Sequence, residues 1–301
     1  MTTRLGELAR SHGSPANVPA APWTPTSPSN TMGMWFDAQD STKVFSATNG
    51  SGGAPADTGT VGSFKDKSTA AFLLAQATAG NRPTLQIASG INGKQSIKFA
   101  SASSQFLTGT GFSNIWGNAT SGEIFYVIQE VSSVGSSSIL SVADGTTGAN
   151  FLVTGTTRVP LALVTGPTSA IAISAAAIAD WSSNGAAYTV NTYTTAGGQL
   201  NGRTITGTNN GAWASATIGS NPDTITLGAV FDATNTPAAQ FANFLLGEII
   251  EYETPLSAGD RASMFSYLRN KWGFDIVSAS AQWVANAWGT NYWASHEWLG
   301  A

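Results

Sequence analysis

Between Gly33 and Trp272 short apolar runs alternate with clusters of Gly, Ser, Thr and Asn. This is the pattern of strands that bury at least one face and turn in water. The runs predict strands near Met34–Asp37, Ser96–Phe99, Gly122–Val131, Ser138–Ala143 and Ala149–Val153. Others are predicted near Val159–Val164, Ala170–Ala176, Ala187–Tyr193, Thr224–Phe231 and Phe244–Tyr252. The Asn201-Gly202 pair inside Gln199–Ile205 favours positive φ and predicts a tight hairpin turn. So many short strands, with no strand–helix alternation, predict a sandwich or barrel and argue against a doubly wound fold. One helix interrupts the pattern. Met264, Phe265, Leu268 and Trp272 recur at steps of three and four, Ser257 and Asp260 can cap the start, and Gly273 can end it.

The two flanks follow other rules. Residues 1–31 read as a Pro-rich arm, with a short helix over Met1–His12 and then the proline-punctuated stretch that holds Trp23. Two readings of this arm are open: a disordered tail, or a segment that orders on a neighbouring subunit. Residues 32–274 read as the sandwich with its closing helix, and 275–301 as a Trp-rich tail. In that tail Trp283, Trp288, Trp293 and Trp298 stand five residues apart, a step that matches neither a helix face nor a strand face. Four such side chains in a polar segment must bury somewhere, whether on the chain's own sandwich, on an oligomer or another particle protein, or against sugar rings. Trp23 and these four are the candidate anchoring and oligomer contacts.

The chain has 301 residues, of which 42 % are hydrophobic, enough for one large core. Only 10 % are charged, against about a quarter in ordinary proteins. The net charge is −4 and no block of Lys or Arg occurs, so nucleic acid is not an expected partner. No apolar run is long enough to span a bilayer, so no membrane is expected either. The absence of cysteine excludes disulfides and thiolate metal sites. The first twenty residues lack the apolar stretch of a secretory signal. This fits a mature chain, or one released by another route such as lysis that frees virus particles.

Five blocks carry a resemblance. Trp35-Phe36-Asp37-Ala38-Gln39-Asp40 resembles W-L-D-A-S-D, and Phe64-Lys65-Asp66-Lys67-Ser68 resembles W-x-D-K-S-G. Arg82-Pro83 with Ile91 through Phe99 is similar to R-P followed by I-N-G-K-P-A-V-R-F. Gly247-Glu248-Ile249-Ile250-Glu251-Tyr252 with Leu256-Ser257 is similar to G-x-I-x-E-x-I-x-Y and L-S. Asp260-Arg261, Tyr267-Leu268 and Lys271-Trp272-Gly273 resemble E-R, Y-L and K-W-G. In this order the blocks resemble concanavalin A-like (laminin G-like) domains of bacteriophage virion and bacterial surface proteins. The resemblance implies an all-β, two-sheet jelly-roll sandwich and a surface or sugar-binding role, without fixing one activity. Relatives carry D-G-x-D-D-Y-L after the R-F strand, whereas this chain has Ala100-Ser101-Ala102-Ser103-Ser104-Gln105-Phe106-Leu107. If the acidic pair binds calcium in relatives, this chain lacks it.

Candidate chemistry is sparse. Glu248, Glu251 and Glu253 approximate the acidic strand motif of retaining glucanases, whose carboxylates stand about 5 Å apart across the sugar. Alternation puts Glu248 opposite Glu251 and Glu253, so the spacing does not match. A serine triad needs a histidine, and the two histidines, His12 and His296, lie in the flanks. Asp37, Asp40 and Asp66 with Lys65 and Lys67 form a charge cluster that reads either as turn chemistry or as a ligand or cation site. Trp116, Trp181 and Trp213 are the candidate glycan-stacking residues, each equally readable as semi-buried core.

No catalytic residue, metal or cofactor is expected. The expected function is a non-enzymatic bacteriophage virion structural protein, a head decoration or fibre component at the particle surface. Its expected partners are other virion proteins, sister subunits in a homo-oligomer, and surface glycans. Two alternatives stay open: a lectin module of a tail fibre or secreted bacterial protein, and a glycoside hydrolase of the same fold.

Overall fold

The computed structural model describes residues 22–112, 123–131, 137–143, 148–154, 164–165, 169–173, 186–191, 197–200, 203–209, 223–231, 237–239, 241–254 and 256–273. In chain order the strands are β1 (Met32–Asp37), β2 (Val44–Phe45), β3 (Ser63–Lys65), β4 (Leu73–Ala75), β5 (Thr84–Gln86), β6 (Ser96–Phe99), β7 (Leu107–Phe112), β8 (Glu123–Glu130), β9 (Ser137–Ala143) and β10 (Gly148–Thr154). They continue with β11 (Val164–Thr165), β12 (Ser169–Ile173), β13 (Ala186–Asn191), β14 (Gly197–Leu200), β15 (Arg203–Asn209), β16 (Asp223–Leu227), β17 (Val230–Phe231), β18 (Pro237–Ala239) and β19 (Phe244–Tyr252). One helix, α1 (Ala258–Trp272), follows.

Apart from the short β17–β18 pair, the strands form two antiparallel sheets of a sandwich. In the first, β19 is central: β8 runs along one edge, followed by β13, β14 and β15. The other edge of β19 is shared, with β6 beside Phe244–Leu246 and β1 beside Glu248–Tyr252. Gly247 stands at the changeover, and its carbonyl accepts the Ala38 N–H at 2.8 Å. The second sheet runs β2, β3, β4, β7, β16, β9, β10, β11, and β12 links β11 to β15 of the first. Phe36 and Phe64 meet across the gap with ring centroids 5.1 Å apart, and Phe99 stacks on Phe244 at 4.7 Å.

Every residue of β19 is buried, although it lies in an antiparallel sheet. The reason is a third layer. The α1 stripe of Met264, Phe265, Leu268 and Trp272 packs on Phe125, Val127, Leu245, Ile250 and Tyr252, covering the outer face of the first sheet. A sheet covered on both sides reads as a continuous apolar run rather than an alternating one.

The predicted helix, its Ser257 cap and its Gly273 end are all observed. Ser257 Oγ accepts the Asp260 N–H at 3.1 Å and lies 2.7 Å from Asp260 Oδ2, and the Gly273 N–H reaches Arg269 O at 2.7 Å. The hairpin also forms, since Leu200 and Arg203 are register partners across Asn201-Gly202. The stretch expected as one strand over Thr224–Phe231 is two, β16 and β17, because the chain turns at Gly228 with φ 90°. Most of Val159–Val164 and all of Met1–His12 lie outside the described residues.

Candidate functional site

Trp35 on β1 and the Tyr267–Trp272 end of α1, far apart in sequence, converge on the carboxylate of Glu248, which is 1 % exposed. The bulge at Gly247 turns Glu248 toward α1, on the same side as Ile250 and Tyr252. Its Oε1 accepts from Trp35 Nε1 at 2.6 Å and from the Tyr267 hydroxyl at 2.9 Å. Its Oε2 accepts from Lys271 Nζ at 2.9 Å and from Trp272 Nε1 at 2.7 Å. On α1 Lys271 follows Tyr267 by one turn and Trp272 is its neighbour, so all three reach Glu248 on β19.

A second carboxylate joins this centre. Asp37, at the end of β1 and the register partner of Glu248, has its Oδ2 2.7 Å from Lys271 Nζ and 2.8 Å from Lys67 Nζ. Lys67 also reaches Asp40 Oδ2 at 3.2 Å and sits 4.3 Å from the centroid of the Trp35 ring. Asp66 braces the same turn: its Oδ1 accepts the Trp35 N–H at 2.6 Å and the Ser68 N–H at 2.9 Å, and its Oδ2 accepts the Ser68 hydroxyl. The charge cluster seen in the sequence therefore combines turn chemistry at Asp66 with ion pairs at Asp37, Asp40 and Lys67.

Burial sets the electrostatics. It pushes the Glu248 carboxyl above its ordinary value; the Lys271 charge opposes this and the Asp37 charge adds to it. It likewise raises Asp66, more than the hydrogen bonds from Ser68 and Trp35 lower it. Burial works against the Lys67 ammonium, but Asp37 and Asp40 outweigh it and raise its pKa. The Tyr267 phenol is held well above its usual range by burial and by the neighbouring Glu248 charge. Both oxygens of Glu248 are occupied by donors, so it offers no free base to a ligand from solvent. Glu251 faces the other way, into the gap between the sheets against Gly33. Glu248 and Glu251 therefore do not flank a common sugar position, which removes this pair as a glycosidase dyad.

A second anchor fixes the start of α1. Glu123, fully buried at the beginning of β8, is bound by Arg261 through Nε at 2.5 Å and Nη2 at 2.9 Å, and its Oε2 accepts the Leu256 N–H at 2.8 Å.

The terminal extensions leave from the helix-covered side of the first sheet. The described part of the N-terminal arm lies along β19 and α1. Asn30 Nδ2 reaches Thr254 Oγ1 at 2.8 Å, the Tyr252 hydroxyl donates to Pro25 O at 2.5 Å, and Trp23 packs on Tyr267 with ring centroids 6.3 Å apart. At the other terminus Trp272 O accepts from Asn92 Nδ2 at 3.0 Å, one residue before the end of the described chain. Of the anchoring candidates, Trp23 thus contacts its own chain, while Trp283, Trp288, Trp293 and Trp298 lie outside the described residues.

Trp116, Trp181 and Trp213 also lie outside the described residues, but the strands that flank their segments are described. Segment 113–122, with Trp116, leaves β7 at Phe112, whose register partner Asp223 is where segment 210–222, with Trp213, ends. Segment 113–122 enters β8 at Glu123, whose partner Asn191 is where segment 192–196 begins. Segment 174–185, with Trp181, instead enters β13 at Ala186, paired with Ile128 towards the far end of β8.

Among the described residues no group of three or more His, Cys, Asp or Glu is arranged to hold a metal ion. The buried centre itself was not read from the sequence as a site. Its signals were the charge cluster around Asp37 and Lys67, the acid at Glu248, and the place of Trp35, Tyr267, Lys271 and Trp272 in the resembling blocks.

No family model and no curated protein matches this sequence. Solved structures similar to the chain include a Trypanosoma rangeli sialidase in complex with the inhibitor DANA, at 10 % identity and a TM-score of 0.42, over 77 % of this chain and 32 % of that one. The botulinum neurotoxin serotype C1 binding domain is similar at 17 % identity and a TM-score of 0.43, over 65 % and 49 %. The binding domain of botulinum neurotoxin DC in complex with SialylT is similar at 15 % identity and a TM-score of 0.42, over 77 % and 52 %. The matched regions thus span between about a third and about half of those longer chains.

Proposed function

We propose that this protein is a non-enzymatic display module of a bacteriophage particle, a head decoration or fibre component. Its terminal extensions would hold it to the particle or to sister subunits, and its inter-strand segments would meet surface glycans. One observation carries the reading. The segments bearing Trp116 and Trp213 are tied to register partners, Phe112 and Asp223, at one end of the second sheet, while both terminal extensions leave from the helix-covered side of the first sheet. On this reading attachment and recognition would fall to separate regions of one sandwich. The buried centre supports the non-enzymatic part, because its carboxylates are consumed in holding β1, β19 and α1 together.

Aromatic stacking would give each glycan contact a modest affinity, multiplied by copy number on the particle. A glycan array probed with the full chain tests the recognition half: saturable binding that is lost in Trp213→Ala and Trp116→Ala, but kept in Trp283→Ala, supports it. Deletion of residues 275–301 tests the attachment half. Normal incorporation of the shortened chain into particles would show that the tail is not the anchor.

The lectin reading, in which sugar binding is the main task of a tail-fibre or secreted bacterial protein, shares the same glycan result. It is separated by the second experiment, since it requires no entry into particles.

A further inference from the structure

Glu248 and Lys271 do more than pair. Lys271 Nζ sits 2.7 Å from Asp37 Oδ2, so an amine from α1 and a carboxyl group from β1 are in contact. The same nitrogen is 2.9 Å from Glu248 Oε2, and its side chain is only 16 % exposed. Tyr267 and Trp272 cover it, with ring centroids 5.3 Å and 5.6 Å from Nζ. On the opposite side Lys67 Nζ lies 2.8 Å from Asp37 Oδ2. A nucleophile, an electrophile, a buried carboxyl group to carry protons and a cation beside the carboxyl oxygen therefore surround one point.

We propose that Lys271 and Asp37 condense into an intramolecular amide, with Glu248 as the proton carrier. Glu248 takes a proton from the Lys271 ammonium, and the free amine attacks Cγ of Asp37. Lys67 stabilises the charge that develops on Oδ2. Glu248 passes that proton to the other carboxyl oxygen, then relays a second proton from the newly bonded nitrogen to the same oxygen. The C–O bond breaks and this oxygen leaves as water, so the nitrogen keeps one hydrogen as an amide. The carboxylate and the ammonium are both consumed, so net charge is unchanged, and no oxidant or activated co-reactant is required. Fixed contact supplies the driving force that free groups in water lack, since well-oriented intramolecular partners react as if at about 10⁵ M or more. Lys271 is the nucleophile rather than Lys67, because it alone of the two touches Glu248, while Lys67 is held as an ammonium by Asp37 and Asp40.

The bond would join β1 directly to the last turn of α1. A pull applied between the N-terminal arm and the C-terminal tail would then pass through Asp37 and Lys271, leaving residues 38–270 unloaded. The bond itself does not depend on the glycan or particle readings, and its test is separate from theirs.

Intact-mass measurement of the purified full chain decides it. The expected mass is that of the sequence less one water, and proteolysis should yield one branched fragment joining the Asp37 and Lys271 peptides. The Lys271→Met and Glu248→Gln variants should keep the full sequence mass. A wild-type chain at the full mass would overturn the proposal, as would a water loss confined to a single unbranched peptide. Loss of water in Glu248→Gln would overturn the role given to Glu248.

Discussion

Trp272 stands so close over Gly247 that a Cβ built on the glycine would lie 2.6 Å from the indole Cη2. The two residues meet because α1 ends where β19 changes neighbours from β6 to β1. The absence of a side chain at Gly247 lets the indole approach the sheet and place its Nε1 on Glu248. Gly247→Ala should therefore destabilise the fold by about 1–3 kcal/mol through overpacking. In a Trp272→Leu background the same change should cost clearly less, a non-additive result readable from urea unfolding midpoints. Equal costs in both backgrounds would show that the indole is not the obstacle.

The Glu123–Arg261 pair gives a second expectation. Arg261→Met leaves a fully buried carboxylate with its cation gone, and should cost about 3–5 kcal/mol. Arg261→Lys should recover only part of that loss, because an ammonium cannot reproduce the two-pronged contact made by Nε and Nη2. The double variant Arg261→Met, Glu123→Gln should be more stable than Arg261→Met alone. Chemical denaturation of the four proteins checks the order, and a double variant less stable than the single would contradict it.

Alkaline pH should weaken the fold through two phenols. Burial, reinforced by Glu123 at Tyr252 and by Glu248 at Tyr267, holds both well above the ordinary value of 10.0. In the unfolded chain they ionise near that value, while in the fold they keep their protons. The folded state then binds more protons, so stability is complete below pH 10.0 and falls as pH rises beyond it. Each phenol should contribute a slope of about 1.4 kcal/mol per pH unit in that range. Tyr252→Phe should remove one such slope, alongside a constant loss from its 2.5 Å bond to Pro25 O. Unfolding free energies measured between about pH 9 and about pH 11.5 test this, and parallel curves for wild type and variant would refute it.

How much of this was visible beforehand differs from element to element. The helix was legible to its caps, because Ser257, Asp260, the apolar stripe and Gly273 act within a few residues of one another. The hairpin at Asn201-Gly202 and the long strands β8, β9 and β19 were legible for the same local reason. The strands β2 to β5 were not, since two or three residues carry no period and their pairing is dictated by neighbours distant in sequence. The acids of Gly247–Tyr252 could be sorted by face from alternation alone, but not by partner.

The sequence by itself determined the class of fold and the closing helix, because alternation, capping and turn chemistry are local properties of the chain. Only the tertiary structure decided that Trp35, Asp37, Lys67, Glu248, Tyr267, Lys271 and Trp272 form one centre. A buried carboxylate must be satisfied by whatever donors the packing brings to it, and those of Glu248 come from a strand and a helix more than two hundred residues apart in the chain.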